Sequence, residues 1–318
     1  MKLFYFLFLA FIIFAAFGCL GAGSKTSPFT VEKNSFVSNL STSPAATSIA
    51  NKTINNTQKN ETEKLNELLE KVVPSKRVIL NAKWNDLGPK TIKSGSLNLD
   101  KFSLVMQRNG YPLDGEQMGI LENGSTAFIS IDRQNSQFLL NLFWAFGLVN
   151  KNNVLDNGTM AEQDYMIPKY ASTGGWPLGD ASGGALYSSV PIIKLNKKQQ
   201  QLVEKISSST YRPCCNNPTS FPDCNHGMAA LGLIEWMAYQ NASEENIYDA
   251  LLIANSYWFP QTYYELAVYF DMQNRSWESI DPREILSFNY SSASGSSSIR
   301  EKVKDVPAVK IYGGNCAV

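Results

Sequence analysis

One histidine, His226, serves 318 residues. That scarcity excludes a His-Glu-x2-His zinc protease and leaves any nucleophilic triad a single candidate base. An excess of one charge is lacking too: 28 Lys and Arg face 28 Asp and Glu, so no net field draws nucleic acid or an acidic membrane face. Gly-x4-Gly-Lys-Ser/Thr and Gly-x-Gly-x2-Gly patterns are absent, which removes those two kinds of nucleotide site, and no internal repeat occurs. Gly179-Asp180-Ala181-Ser182-Gly183-Gly184 differs from the Gly-Asp-Ser-Gly-Gly of trypsin-like proteases by an inserted Ala. The histidine also follows that serine rather than preceding it, so the match is rejected.

The N-terminus carries an address. Lys2 precedes an apolar and aromatic run over residues 3 to 17, then Gly18-Cys19, the charged start and greasy stretch of an export signal. Cys19 after a small residue is similar to a lipobox, in which cleavage exposes a cysteine that takes lipid; Ala16 and Phe17 depart from the usual residues of that box. The expectation is a signal peptide over 1–19, lipidation of Cys19, and a protein held on the outer face of the cytoplasmic membrane, or secreted if Cys19 stays unmodified. The membrane, met through the N-terminus, is the one partner expected.

Residues 20–62 are rich in Ser, Thr, Asn, Lys and Ala and poor in large apolar groups, so burial cannot offset the entropy of ordering them. They are expected as a disordered tether. Asn-x-Ser/Thr acceptors at Asn39, Asn51, Asn55, Asn60, Asn123, Asn157, Asn241, Asn274 and Asn289 fit a glycosylated surface protein.

From residue 63 the apolar spacing predicts a mainly α domain, running to 286, with at most a small β element. Leu65, Leu68, Leu69 and Val72 share one helical face, and Pro74 stops that helix. A second helix is expected over 100–109, capped by Asp100 and closed by Gly110, and a third over 136–146, capped by Asn135 and ended by Gly147. Residues 78–80 and 127–131 have strand composition, and residues 170–189 read as a long Gly- and Ser-rich loop. Further helices are predicted over 196–207, 227–239, from a Ser243 cap to about 257, and from Pro260 through Phe270. The five tryptophans from Trp84 to Trp258 are read as core. Residues 287–318 are expected as a Ser-rich mobile linker and tail with an edge strand near 309–312.

Between two of these helices lies Cys214-Cys215-x8-Cys224-x-His226, the densest set of soft donors in the chain. Cys214, Cys215, Cys224 and His226 are the candidate ligands of a metal ion, with Zn, Cu(I) or Fe as the cofactor classes such donors suit. Adjacent Cα atoms lie about 3.8 Å apart, so both thiolates of a turn can face one ion, while Cys224 sits where a helix N-terminus favours deprotonated sulfur. Disulfides are the alternative: beyond Cys19 there are four cysteines, and the strain of linking neighbours would pair Cys214 and Cys215 separately with Cys224 and Cys316. That alternative makes the protein a disulfide-stapled surface interaction module with neither metal nor catalysis. A thiol enzyme using His226 as base is the third reading; more often such a chain is not an enzyme.

The chain resembles a group of predicted exported proteins, often lipoproteins, that has no established activity. The resemblance rests on Asn81-Ala82-Lys83-Trp84-Asn85-Asp86-Leu87-Gly88-Pro89, Phe143-Trp144-Ala145-Phe146-Gly147-Leu148, Ala171-Ser172-Thr173-Gly174-Gly175-Trp176, and Arg212-Pro213-Cys214-Cys215 through Cys224-Asn225-His226-Gly227. It spans about residues 75 to 270 and implies a shared globular domain.

Overall fold

The computed structural model describes residues 31–32, 63–306 and 310–311. Cys19, Cys316 and the signal segment lie outside the described residues. Two residues of the expected tether form β1 (Val31–Glu32), which pairs antiparallel with β4 (Lys310–Ile311) in the region where an edge strand is expected. The rest of the fold is mainly helical, as the apolar spacing predicts.

Helix α1 covers residues 63–72 and buries Leu68, Leu69 and Val72 on the predicted face. Strand β2 (Val78–Asn85) follows, with Leu80, Ala82 and Trp84 turned inward at the period of two that a half-buried strand requires. It pairs antiparallel with β3 (Ser125–Ile131) from Val78 opposite Ile131 to Asn85 opposite Ser125. Asn81 and Asn85 adopt φ of 50° and 46°, a region asparagine tolerates, and the register shifts between Ile79 and Lys83 and again before Asn85.

Three helices connect the two strands: α2 (Leu87–Lys93), α3 (Leu99–Arg108) and α4 (Gly115–Asn123). The cap of α3 is Asn98, whose side chain accepts from the Lys101 N–H, and not Asp100, which falls in the first turn. Gly110 follows at φ 85°, where a side chain would be strained.

Helix α5 (Ser136–Val149) is apolar around nearly its whole circumference and is buried accordingly. It runs three residues past the predicted end. Gly147 is a notch and not a stop: a Cβ there would lie 2.4 Å from the Met228 carbonyl oxygen of α9 (Asn225–Tyr239). A Cβ on Gly232 of that partner helix would in turn lie 2.4 Å from the Phe143 carbonyl oxygen. Two glycines at one crossing bring α5 and α9 into backbone contact, and this pair forms the centre of the core. Short helix α6 (Asn153–Asn157) and a 3-10 stretch, Ala161–Lys169, lead into the segment predicted as a loop over 170–189, which departs from that prediction by holding one turn of helix, α7 (Gly183–Leu186), capped by the Ser182 side chain.

Helix α8 (Lys197–Ser209) opens on a capping box between Asn196 and Gln199. Helix α10 (Glu244–Trp258) is capped by Ser243 as predicted, and α11 (Pro260–Met272) begins on its proline. Helix α12 (Pro282–Ile285) closes the expected domain, and the start of the segment expected as a mobile linker from 287 is instead helical, in α13 (Phe288–Ser291) and α14 (Ala293–Val303). Its serines bond back to the chain: Ser292 caps α14 through the Gly295 N–H, and the Ser291 hydroxyl bonds the Ile285 carbonyl and lies 2.8 Å from the Tyr263 hydroxyl. Ile299 and Val303 then give α14 an apolar stripe that packs on α11. Among the described residues no helix is long and apolar enough to cross a membrane.

Candidate functional site

The chain between α8 and α9 returns on itself. The Thr219 N–H donates to the Thr210 carbonyl at 2.8 Å, and the Ser220 N–H donates to Ser207 at 2.9 Å, closing residues 210 to 219 into a compact loop. Arg212 points into it and is 1% exposed. Its guanidinium donates to the carbonyls of Asn217 at 2.8 Å, Pro218 at 2.7 Å and Phe221 at 3.0 Å, to the Asp223 carboxylate at 2.5 Å, and to the Cys224 sulfur at 3.2 Å. These contacts use all five guanidinium N–H groups, so the loop is wound around one satisfied cation.

Cys224 caps α9 with its sulfur, which accepts the Gly227 N–H at 3.3 Å beside the Arg212 donor. The Cys214 sulfur lies 3.0 Å away, and Cys215 leans toward the Asp223 carboxylate at 3.6 Å. The sulfurs of Cys214, Cys215 and Cys224 all lie within 4.8 Å of one another. Cys214 is exposed, while Cys215 and Cys224 are half-buried. Three of the four predicted ligands thus converge.

Hydrogen bonds from the thiols of Cys214 and Cys215 hold Cys224 well below the ordinary thiol range against the opposing effect of burial, and Arg212 adds to them. Cys214 is pushed up by its bonds to Cys215 and Cys224 and by burial. The bond to Cys214 draws Cys215 down, but its bond to Cys224 and its burial outweigh that and push it up to about 11. Burial pulls the Arg212 guanidinium down, but the neighbouring sulfurs, Cys224 first, more than restore it. Within the cluster Cys224 is the sulfur shifted toward the thiolate, while Cys214 and Cys215 are shifted toward the thiol.

His226 is not in the sulfur group. His226 is 1% exposed, and its ring packs against Phe259 at 4.2 Å between centroids with the planes tilted by 39°, and edge-on to Trp258 at 6.0 Å. Neither ring nitrogen has a hydrogen-bond partner among the described residues. Burial pushes its pKa down to about 4, so the imidazole is neutral at pH 7. An apolar aromatic slot explains why nearness in sequence did not bring it to the sulfurs.

Two further segments wall the loop. The Ser172 N–H donates to the Asp223 carbonyl at 3.1 Å, and Tyr170 meets Phe221 edge to face at 5.7 Å, so the long Gly- and Ser-rich loop lies against the cysteine loop. From the other side the Ala293 N–H donates to the Cys215 carbonyl at 2.9 Å, and the Ser294 N–H and hydroxyl bond the Asn216 side-chain oxygen. Arg212 and Asp223 are the site residues that motif reasoning missed. Their signal is present: between residues 210 and 226 they are the only Lys, Arg, Asp or Glu.

No protein-family model, curated protein or solved structure matches the chain. What the fold and the site define is a mainly helical protein with three neighbouring cysteines, close enough to bind a metal or to form a disulfide.

Proposed function

We propose that Cys214, Cys215 and Cys224 bind a thiophilic metal ion outside the cytoplasm, on a protein anchored through its N-terminus at the lipidated Cys19. The observation that carries this reading is the mutual approach of three sulfurs within 4.8 Å. Sulfurs sharing one tetrahedral ion at 2.3 Å stand about 3.8 Å apart, so ligation needs shifts of about an ångström in flexible side chains. Three soft donors, with the imidazole held in its aromatic slot, suit Cu(I) better than Zn or Fe, which need a fourth ligand. Binding, transfer or sensing of such an ion follows from the donor set.

The test is metal analysis of the full chain purified without oxygen and titrated with Cu(I). One ion per chain is expected, with loss of binding in each of Cys214→Ser, Cys215→Ser and Cys224→Ser and retention in His226→Phe. Wild-type protein that takes up no stoichiometric Cu(I) refutes the proposal.

A second reading, a Cys214–Cys224 disulfide stapling the loop, is favoured by the 3.0 Å contact of those two sulfurs, closer than a shared ion would set them.

A further inference from the structure

The contact between Cys214 and Cys224 is asymmetric. Cys214 is the most exposed residue of the three, the one a visiting molecule meets first. Cys224 is the half-buried one, and its sulfur already receives the Gly227 N–H at 3.3 Å and the Arg212 guanidinium at 3.2 Å. A structural staple has no use for a cation and a helix N-terminus aimed at one of its two sulfurs. A leaving group does, because both donors stabilise the negative charge that appears when the bond to that sulfur breaks. Stabilising the released thiolate also makes a disulfide a stronger oxidant of other thiols.

We propose that Cys214 and Cys224 form an exchange-active disulfide that oxidises thiols, with Cys214 as the attacked sulfur and Cys224 as the leaving group. This inference rests on the disulfide reading of the cluster and not on the metal. In the first step a substrate thiolate attacks the Cys214 sulfur. The substrate S–Cys214 bond forms, the Cys214–Cys224 bond breaks, and its electron pair leaves on Cys224, where Arg212 and the Gly227 N–H receive it. In the second step another substrate thiolate displaces Cys214 from the mixed disulfide. The substrate leaves as a disulfide, oxidised by two electrons, and the protein holds the pair reduced. A small or protein disulfide re-oxidises the pair by the same two exchanges in reverse.

Arg212 is a positioning residue here, since it acts through the Cys224 sulfur. Its own position depends on Gly227: a Cβ at that residue would lie 2.6 Å from the guanidinium carbon. Glycine at the third position of the helix leaves room for the cation to lie across its first turn. The substrate class is an accessible thiol, and the walls from Tyr170 to Ser172 and from Ala293 to Ser294 set which thiols reach Cys214.

The experiment uses the full chain stripped of metal. Wild-type protein is oxidised with glutathione disulfide and mapped by mass spectrometry of non-reduced peptides, then opened with reduced glutathione while the adduct is followed. A Cys214–Cys224 link is expected, opened at least tenfold faster than the disulfide of glutathione itself. In Cys224→Ser, whose hydroxyl keeps an oxygen at the cap position, glutathione is expected to stay on Cys214. A link that forms but opens no faster than glutathione disulfide, or an adduct found on Cys215, overturns the inference and leaves the staple standing. Absence of any Cys214–Cys224 link overturns both. Cu(I) uptake is measured separately, so failure of the metal proposal is not confused with either.

Discussion

Glu235 sits inside the α5–α9 core with no exposed surface, and its replacement by Gln tests whether a carboxyl group there is neutral. One of its oxygens accepts the Asn150 side-chain N–H at 2.6 Å, Asn150 in turn accepts the Ile193 N–H at 3.1 Å, and the other Glu235 oxygen has no hydrogen-bond partner among the described residues. Burial pushes the carboxyl up to about 8 from the ordinary 4.5, with the Asn150 bond opposing. The native state therefore holds a proton that the unfolded chain releases above pH 4.5. The stabilising contribution is complete below that pH and is lost as pH rises through 8. Between pH 5 and pH 8 this one group removes a few kcal/mol of stability, taking roughly 1.4 kcal/mol per pKa unit. Gln keeps an acceptor for Asn150 and does not titrate. Urea unfolding of wild type and Glu235→Gln at both pH values reads the difference. The wild type is expected to lose a few kcal/mol more than the variant on going from pH 5 to pH 8. Parallel losses, equal within about 0.5 kcal/mol, would show that the carboxyl is ionised or hydrated in the folded protein and would refute the argument.

Three further outcomes are expected. Gly232→Ala forces a methyl group against the Phe143 carbonyl and is expected to cost about 3 kcal/mol in denaturant unfolding, since α5 and α9 must separate. Gly227→Ala is expected to push Arg212 off the Cys224 sulfur and raise the pH midpoint of that thiol's alkylation by about one unit, measured by peptide-resolved labelling across a pH series. Cu(I) binding is expected to release about two protons per ion, from Cys214 and Cys215, because Cys224 is the sulfur shifted toward the thiolate. Calorimetry in buffers of different ionisation enthalpy counts them; release near zero or near three contradicts the charge state assigned to the cluster.

Much of the helical frame was legible because it rests on local rules. Apolar spacing located α1, α5, α9, α10 and α11, the Asn196 cap located the polar α8, and the Asn196 and Ser243 caps and the Pro260 start act within one turn of their own residues. Two features were not legible, for different reasons. Gly147 has the look of a helix stop, and only the arrival of Gly232 from a distant helix turns it into a crossing point; sequence near Gly147 holds no trace of that partner. The serines after residue 287 read as linker because composition counts them as polar, whereas their hydroxyls bond the preceding turns and the Tyr263 hydroxyl. At the site, spacing found the three sulfurs, but it favoured His226 for its nearness and passed over Arg212. The imidazole is taken by Phe259 and Trp258, contacts made by a different helix, while Arg212 gains its meaning from a loop whose closure depends on the Thr210–Thr219 clasp.

The bond from the Ala293 N–H to the Cys215 carbonyl carries a consequence for biogenesis. A chain made from its N-terminus gains the cysteine pocket's second wall only after more than seventy further residues have been added, so until then the sulfurs stand open on that side. Whatever loads or oxidises them has its freest access during synthesis, and the arrival of α14 marks the end of that interval.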